Sequence, residues 1–211
     1  MIVANAPSFS AAPFRARLAQ AALLIAADGG GNALHTVALT PHVVIGDLDS
    51  LHPAVAAVFT TAGTTFLRYP SEKDETDLEL ALCYAVQQGA TQIDVLGALG
   101  GRWDQALANV ALLALPELTG LQVRLLDEEQ EAYVARGTTH IAGATGDTVS
   151  LLPIGGAARG ITTKGLRYPL TEAALLFERS RGVSNVIVTP PAMVTVREGL
   201  LLVIHRLSAD G

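Results

Sequence analysis

The sequence predicts an α/β domain with a mostly parallel, Rossmann-like sheet over residues 1–127, followed by a small all-β sandwich over residues 131–211. In the first part, short apolar runs alternate with segments in which apolar residues recur at helical spacing, which is typical of strands and helices in a parallel sheet. In the second part, short β-branched runs are separated by Gly, Pro and Asn, which favours antiparallel strands. The acidic stretch 127–131 is the predicted junction.

Six apolar runs of the first domain are predicted strands, at residues 2–4, 23–27, 43–45, 65–69, 93–96 and 123–126. Two intervening segments have apolar residues three and four positions apart and are predicted helices. Their apolar positions are Leu78, Ala81, Leu82 and Ala85, then Leu107, Val110, Ala111 and Ala114. The predicted strands of the second domain lie at residues 148–152, 161–163, 186–188, 194–196 and 200–204.

Composition and charge argue against several classes of protein. Half of the residues are hydrophobic and 16% are charged, so disorder is not expected. The longest apolar runs are far shorter than the roughly 20 residues of a membrane-spanning helix, and the N-terminus lacks the pattern of a signal peptide. A net charge of −6 argues against nonspecific nucleic-acid binding. The single cysteine, Cys83, permits no intrachain disulfide, and we expect a cytoplasmic protein.

Acidic residues follow four consecutive strands of the predicted parallel sheet. In such a sheet, ligands bind beyond the carboxyl ends of the strands, so these side chains are expected at one edge. The residues that follow the four strands are Asp28, then Asp47 and Asp49, then Asp74 and Asp77, then Arg102 and Asp104. One aspartate after a strand is commonplace, whereas four such placements in a row indicate a site.

The segment GDLDS at residues 46–50 places Asp47 and Asp49 two positions apart. In extended backbone, residues at this spacing point the same way, so both carboxylates would converge on one hard cation such as Mg²⁺. The other interpretation is a solvated turn whose Asp side chains bond to the backbone. This motif alone leaves both interpretations open.

The segment EKDETD at residues 72–77 precedes the helical run that begins at Leu78. Asp and Thr are preferred as helix N-caps, and acidic residues are favoured in the first turn of a helix. Helix capping alone would therefore explain the motif. The placement of Lys73 among acidic groups, near a phosphate-sized site, keeps a functional role open.

Two glycine-rich turns follow predicted strands, DGGGN at residues 28–32 and GGRWDQ at residues 100–105. Backbone N–H groups of the first would suit an anion, and the planar fork of Arg102 suits phosphate oxygens. The alternative for the second turn is a surface loop with Asp104 as a helix cap. Leu34 replaces the third glycine of a dinucleotide fingerprint, and no Gly-Lys-Ser/Thr loop occurs. The chain is therefore neither an evident dehydrogenase nor an evident Walker-type ATPase.

Taken in order, these motifs resemble those of the thiamine pyrophosphokinases. The matching segments are DGGGN (28–32), GDLDS (46–50), EKDETD (72–77) and GGRWDQALAN (100–109). In the second half, TTKGLRYPL (162–170) and Ser184-Asn185 look like that family's C-terminal signatures, with a Gly-Leu-Leu segment at 199–201. Each motif is weak alone, but six in order are highly specific and cover nearly the whole chain.

The resemblance implies an enzyme that transfers diphosphate from ATP to the hydroxyl of thiamine, giving thiamine diphosphate and AMP. It implies that the α/β domain binds ATP and Mg²⁺, that a β-sandwich binds thiamine, and that homodimers share their active sites between chains. Carried over by motif, the metal ligands are Asp47, Asp49 and Asp77, and the catalytic residues are these and Asp104. The ATP-binding residues are Asp28, Gly29, Gly30, Asn32, Lys73, Asp74, Arg102 and Asn109. The thiamine-binding residues are Tyr168, Ser184 and Asn185.

Two positions depart from the family pattern. Tyr168 stands where many relatives have Trp, and Gln105 stands where many bacterial relatives have His, so Gln105 is assigned no acid–base role. Two other functions are weighed. One is a different Mg²⁺-dependent pyrophosphoryl transferase acting on another alcohol, such as a pterin, against which Ser184 and Asn185 argue. The other is a noncatalytic nucleotide-binding sensor, against which the retained acidic residues argue.

Overall fold

The computed structural model describes residues 1–206, and the chain divides into two compact units, Met1–Leu126 and Asp127–Gly211. The last five residues of the predicted second domain, 207–211, lie outside the described residues. An α/β unit is followed by an all-β unit, as the sequence predicts. Among residues 1–206, no helix combines the length and apolar character that crossing a membrane requires.

The first unit alternates six strands with five α-helices. The strands are β1 (Ile2–Val3), β2 (Ile25–Ala27), β3 (Val43–Gly46), β4 (Thr65–Arg68), β5 (Gln92–Leu96) and β6 (Gln122–Leu126). The helices are α1 (Arg15–Ala19), α2 (Gly30–Thr36), α3 (Pro53–Thr61), α4 (Asp77–Gln87) and α5 (Trp103–Leu112), with 3₁₀ turns at Ala12–Phe14 and Pro116–Leu118.

The six strands of this unit are hydrogen-bonded in the order β6-β5-β1-β2-β3-β4, and every neighbouring pair is parallel. Strands β1, β2 and β3 are buried along their whole length, whereas the edge strand β4 is partly exposed. Continuous apolar runs are what parallel strands need when both faces of the sheet are covered. All six carboxyl ends therefore meet at one edge.

The second predicted helix of this unit is shorter than its apolar spacing suggests. Helix α5 ends at Leu112, so Ala114 lies beyond it. Pro116 opens a 3₁₀ turn, and the residue before a proline is biased away from helical backbone.

The described part of the second unit, residues 127–206, consists of five antiparallel strands. These are β7 (Gln130–Ile141), β8 (Thr148–Lys164), β9 (Ala173–Leu175), β10 (Asn185–Val186) and β11 (Ala192–Arg206). Their order is β10-β8-β11-β7, and β9 pairs with β8. The long final strand β11 thus pairs with β7 on one side and with β8 on the other.

Short runs predicted as separate strands belong to longer ones in this unit. Residues 148–152 and 161–163 both lie in β8, and residues 194–196 and 200–204 both lie in β11. The pairing register of β11 shifts around Gly199. Its φ of +82° is a backbone conformation that glycine adopts with little steric strain. The strands therefore continue through irregularities that the sequence suggests are turns.

One apolar core is formed by both halves of these long strands. Leu151 and Ile161 of β8 are buried in the same cluster as Val194 and Val203 of β11. Residues from both halves of β8 and of β11 thus contribute to the same core.

His205 lies between two carboxylates within the second unit. Its Nδ1 is 3.2 Å from Glu131 Oε1, and its Nε2 is 2.9 Å from Asp147 Oδ2. The hydrogen bond to Glu131 is the main reason that the pKa of His205 is raised, and Asp147 adds to it against the effect of burial. The His205 side chain thus connects β11 to β7 and to the turn that precedes β8.

We expect this arrangement to make stability depend on pH. Because the folded pKa of His205 is raised, its stabilisation is fully present below the unfolded pKa, about 6.5, and is lost as pH rises through the folded pKa. His205→Gln should cost about 2 kcal/mol of the free energy of unfolding near pH 6, and less near pH 9. Denaturant titrations followed by circular dichroism measure this cost. His140→Gln, on the exposed part of β7, is the control. An equal cost of His205→Gln at both pH values would contradict the prediction.

Candidate active site

A cavity of about 480 Å³ lies at the carboxyl edge of the parallel sheet. It lies beyond β1 and β5, the neighbouring strands from which the strand order runs in opposite directions, which is where open parallel sheets bind ligands. The polar side chains that line it are Asn5, Asp28, Asp47, Asp49, Ser50, Lys73, Thr76, Asp77, Arg102, Gln105 and Asn109. The loops after five of the six strands therefore contribute to one cavity.

Three carboxylates form a cluster in this cavity, hereafter the acidic cluster: Asp28, Asp47 and Asp77. One oxygen atom from each lies within 4.8 Å of the others. Lys73 Nζ lies 3.1 Å from Asp77 Oδ1 and 3.9 Å from Asp47 Oδ2. Three carboxylates with one ammonium group leave negative charge that a divalent cation would neutralise.

Burial shapes the electrostatics of the acidic cluster. It raises the pKa of both Asp28 and Asp77, partly offset by hydrogen bonding from Ser50 at Asp28 and by Lys73 at Asp77. The pKa of Asp47 is lowered, chiefly because its carboxylate accepts the N–H of Asp49. Within residues 1–206, the buried Oδ1 atoms of Asp28 and Asp77 receive no hydrogen bond, apart from the ion-pair contact of Asp77 with Lys73. Such orphaned oxygens fit the ligand set of Mg²⁺.

The GDLDS segment is a turn and not extended backbone. Leu48 has a φ of +69°, and Asp47 Oδ1 accepts the Asp49 N–H at 3.1 Å. The same-side argument from extended backbone is therefore wrong here, since the chain turns between the two aspartates. Asp49 is exposed and accepts a hydrogen bond from Ser50 Oγ at 2.9 Å, so it lines the cavity outside the acidic cluster.

The glycines of the DGGGN turn have a packing role. A Cβ on Gly30 would lie 2.1 Å from the carbonyl oxygen of Val3, and one on Gly29 would lie 2.4 Å from Asn5 Nδ2. Asn32 donates to the carbonyl of Ser50 at 2.8 Å and accepts the N–H of His52 at 3.0 Å. This motif therefore ties α2 to β1 and to the loop that carries Asp47.

The EKDETD segment combines a helix cap with an ion pair. Thr76 is the N-cap of α4, and its hydroxyl accepts the N–H of Glu79 at 3.2 Å. Asp77 opens the helix and points to Lys73, whereas Asp74 is exposed and does not line the cavity. The helix-cap interpretation is therefore confirmed for Thr76, and a functional role of Lys73 and Asp77 stays a prediction.

The GGRWDQ turn contributes an exposed ion pair. Arg102 lies 2.5 Å from Asp104 through Nη2 and Oδ2, and this pairing raises the pKa of Arg102 and lowers that of Asp104. Arg102 lines the cavity and Asp104 does not. Asn109 is buried and donates to the carbonyl of Ala98 at 2.7 Å, which holds the loop after β5.

Sequence reasoning missed Asn5, Ser50 and Thr76 as cavity residues. Asn5 follows the first apolar run, so it lies at a strand end like the aspartates, and the same rule applies to its amide side chain. Ser50 and Thr76 lie within the GDLDS and EKDETD motifs, where the acidic residues beside them carry the stronger signal.

In the second unit, the predicted thiamine residues are adjacent. Asn185 is buried, accepts the Tyr168 N–H at 3.0 Å and donates to the Tyr168 carbonyl at 2.8 Å. Tyr168 is 64% exposed and Ser184 has a φ of +59°. Asn185 thus positions the loop that presents the Tyr168 ring.

Family profiles match both units. Residues 14–125 match "Thiamin pyrophosphokinase, catalytic domain", and residues 137–201 match "Thiamin pyrophosphokinase, vitamin B1 binding domain".

Curated relatives and solved structures agree with these profiles. A thiamine pyrophosphokinase of Bacillus subtilis is 27% identical over 185 residues, which cover 87% of this chain and 86% of the relative. Thiamine pyrophosphokinase 3 of Oryza sativa is 29% identical over 74% of this chain and 62% of its own. The crystal structure of the Bacillus subtilis protein has a TM-score of 0.84, with 25% identity and 98% of each chain covered. A thiamin pyrophosphokinase family protein from Enterococcus faecalis has a TM-score of 0.85 at the same identity and coverage.

Proposed function

The chain belongs to the thiamin pyrophosphokinase family, and on that premise we propose that it transfers a diphosphate group from ATP to the hydroxyl of thiamine. The oxygen of the primary alcohol forms a bond to the β-phosphorus of ATP, and the bond from that phosphorus to the oxygen of the α-phosphate breaks. AMP leaves, and the alcohol's proton passes to a carboxylate of the cavity. The observation that carries this proposal is the acidic cluster at the carboxyl edge of a sheet that matches the family's catalytic domain.

We propose Mg²⁺ as the cofactor. The sequence motifs point to Asp47, Asp49 and Asp77 as its ligands, and the acidic cluster supports Asp47 and Asp77 among them. When bound, the cation supplies neutralisation of the charge on the phosphate oxygens.

The side chains of the cavity position the substrates. Arg102 is exposed in its pair with Asp104, and such a pair is easily opened, so its guanidinium is available to phosphate oxygens. Lys73 is only 12% exposed and places a fixed positive charge beside Asp77. The acidic lining also favours the approach of thiamine, which is a cation.

We regard the first unit as Rossmann-like and the second as a folded-over β-sandwich. The parallel strand pairs and the cavity at their carboxyl edge support the first assignment, and the core shared by both halves of β8 and β11 supports the second. The single cysteine is consistent with a cytoplasmic protein.

We further propose a homodimer in which each active site takes residues from both chains. Exposed apolar side chains in the second unit support a surface for a second copy: Tyr168, Phe177, Val183 and Val188. Tyr168 and Ser184, from this unit, would contact the thiamine bound in the partner's cavity.

Product analysis tests the function directly. Incubation with ATP, Mg²⁺ and thiamine should yield AMP and thiamine diphosphate in equal amounts, because attack occurs at the β-phosphorus. ADP with thiamine monophosphate would contradict the diphosphate transfer. A pterin alcohol in place of thiamine is the control for the first alternative. ATP binding with no turnover of either alcohol would favour the second alternative, a noncatalytic nucleotide-binding sensor.

A further inference from the structure

Asp28 has a carboxylate oxygen that nothing in the described chain satisfies. The residue follows β2 with a φ of +44°, and it is 5% exposed. Its Oδ2 accepts the Ser50 N–H at 3.3 Å, whereas its buried Oδ1 receives no hydrogen bond among residues 1–206. A buried carboxylate oxygen without a partner is costly, and it needs a ligand or a proton.

The carboxylate of Asp28 belongs to the acidic cluster. Asp28 supplies one of the three mutually close oxygen atoms, together with Asp47 and Asp77. Lys73 approaches the other two carboxylates but makes no ion pair with Asp28. Asp28 is therefore the most buried member of the cluster, and among residues 1–206 no ion pair is formed with it.

Gly46 explains how two of the three side chains, those of Asp28 and Asp77, come so close. It is the last residue of β3, and its φ of +147° is unfavourable for any residue with a side chain. A Cβ at this position would lie 2.9 Å from both Cγ and Oδ1 of Asp77, and 3.0 Å from the Cβ of Asp28. Any larger residue would force Asp28 and Asp77 apart.

We propose that Asp28 is the third carboxylate ligand of the divalent cation, beside Asp47 and Asp77, and that Gly46 is a positioning residue that lets the side chains of Asp28 and Asp77 converge. The inference rests on the proposed function only for the identity of the cation. It assigns Asp49, which the motif pairs with Asp47, to a place outside the inner ligand set. Asp49 is exposed, and its carboxylate is hydrogen-bonded to Ser50.

Mn²⁺ is a suitable probe, since its binding can be measured by electron paramagnetic resonance without turnover. The titration is made with the protein alone and with a nonhydrolysable ATP analogue. In the arm where wild type binds, Asp28→Asn and Gly46→Ala should each raise the Kd at least roughly 10-fold. Asp49→Asn should change it less than about threefold, like the exposed Glu75→Gln, which controls for the loss of one negative charge.

Thermal unfolding without metal shows whether Asp28 is a metal ligand or a residue that the fold itself requires. Asp28→Asn should keep or raise the melting temperature, because an unpaired buried charge is removed, and should lose the increase that Mg²⁺ gives to wild type. A wild-type Kd in Asp28→Asn, or no Mn²⁺ binding by wild type in either arm, would overturn the proposal. Formation of AMP by wild type is scored independently, so a failure of the function and a failure of this ligand assignment are distinguishable.

Discussion

Replacing Asp77 by asparagine should lower kcat/KM by at least roughly 10²-fold, which corresponds to about 2.7 kcal/mol of transition-state stabilisation. Asp77 opens α4, contributes to the acidic cluster and faces Lys73. An amide keeps the shape of the side chain but removes the charge that holds a cation and balances the lysine. The loss should therefore appear without a loss of fold.

The measurement is a steady-state assay of AMP formation across a magnesium titration, with circular dichroism melting of each variant. Glu75→Gln removes a charge from the same segment at an exposed position and should stay within about twofold of wild type. Near-normal activity of Asp77→Asn at every magnesium concentration would show that the helix cap is the whole role of this segment.

Mixing two inactive variants should restore activity if each site takes residues from two chains. Asp77→Asn damages the first unit, and Asn185→Ala removes the side chain that holds the backbone of Tyr168. With random pairing, half of the dimers carry one variant of each kind, and each of these has one intact site. Activity should approach about a quarter of that of wild type.

Each variant must first prove inactive and folded alone. Differently tagged chains purified in tandem show whether mixed dimers form. Mixed dimers without activity would place the complete site within one chain, and a monomer by light scattering would contradict the dimer itself.

The strand-end rule explains why much of the candidate site is visible in the sequence. Asp28, Asp47 and Asp77 come from separate loops, yet parallel pairing brings the carboxyl ends of β2, β3 and β4 to one edge. Which aspartates meet could not be predicted in this way. The left-handed backbone of Leu48 turns Asp49 away from the acidic cluster. No local sequence pattern predicts a positive φ at a leucine.

The second unit was harder to predict because its strands are held by partners distant in sequence. Strand β7 (Gln130–Ile141) mixes charged and small residues and has no clear apolar alternation, so its sequence alone predicts no strand. It is a strand because β11 pairs with it over most of its length. Similarly, Gly155 and Gly160 read as turns, although β8 continues through them. Tertiary pairing outweighs local preference in both cases.

The central place of β11 has a consequence for biosynthesis. Strands β7 and β8 both use β11 as their neighbour, and the described ladders do not pair them with each other. The ribosome makes β11 after both of them, so the two earlier strands keep open hydrogen-bonding edges until β11 has emerged. The α/β unit has no such dependence, because its own strands precede residue 127. A nascent chain would thus carry a folded first unit and an unassembled second one, and a stop codon before Ala192 would leave that state permanent.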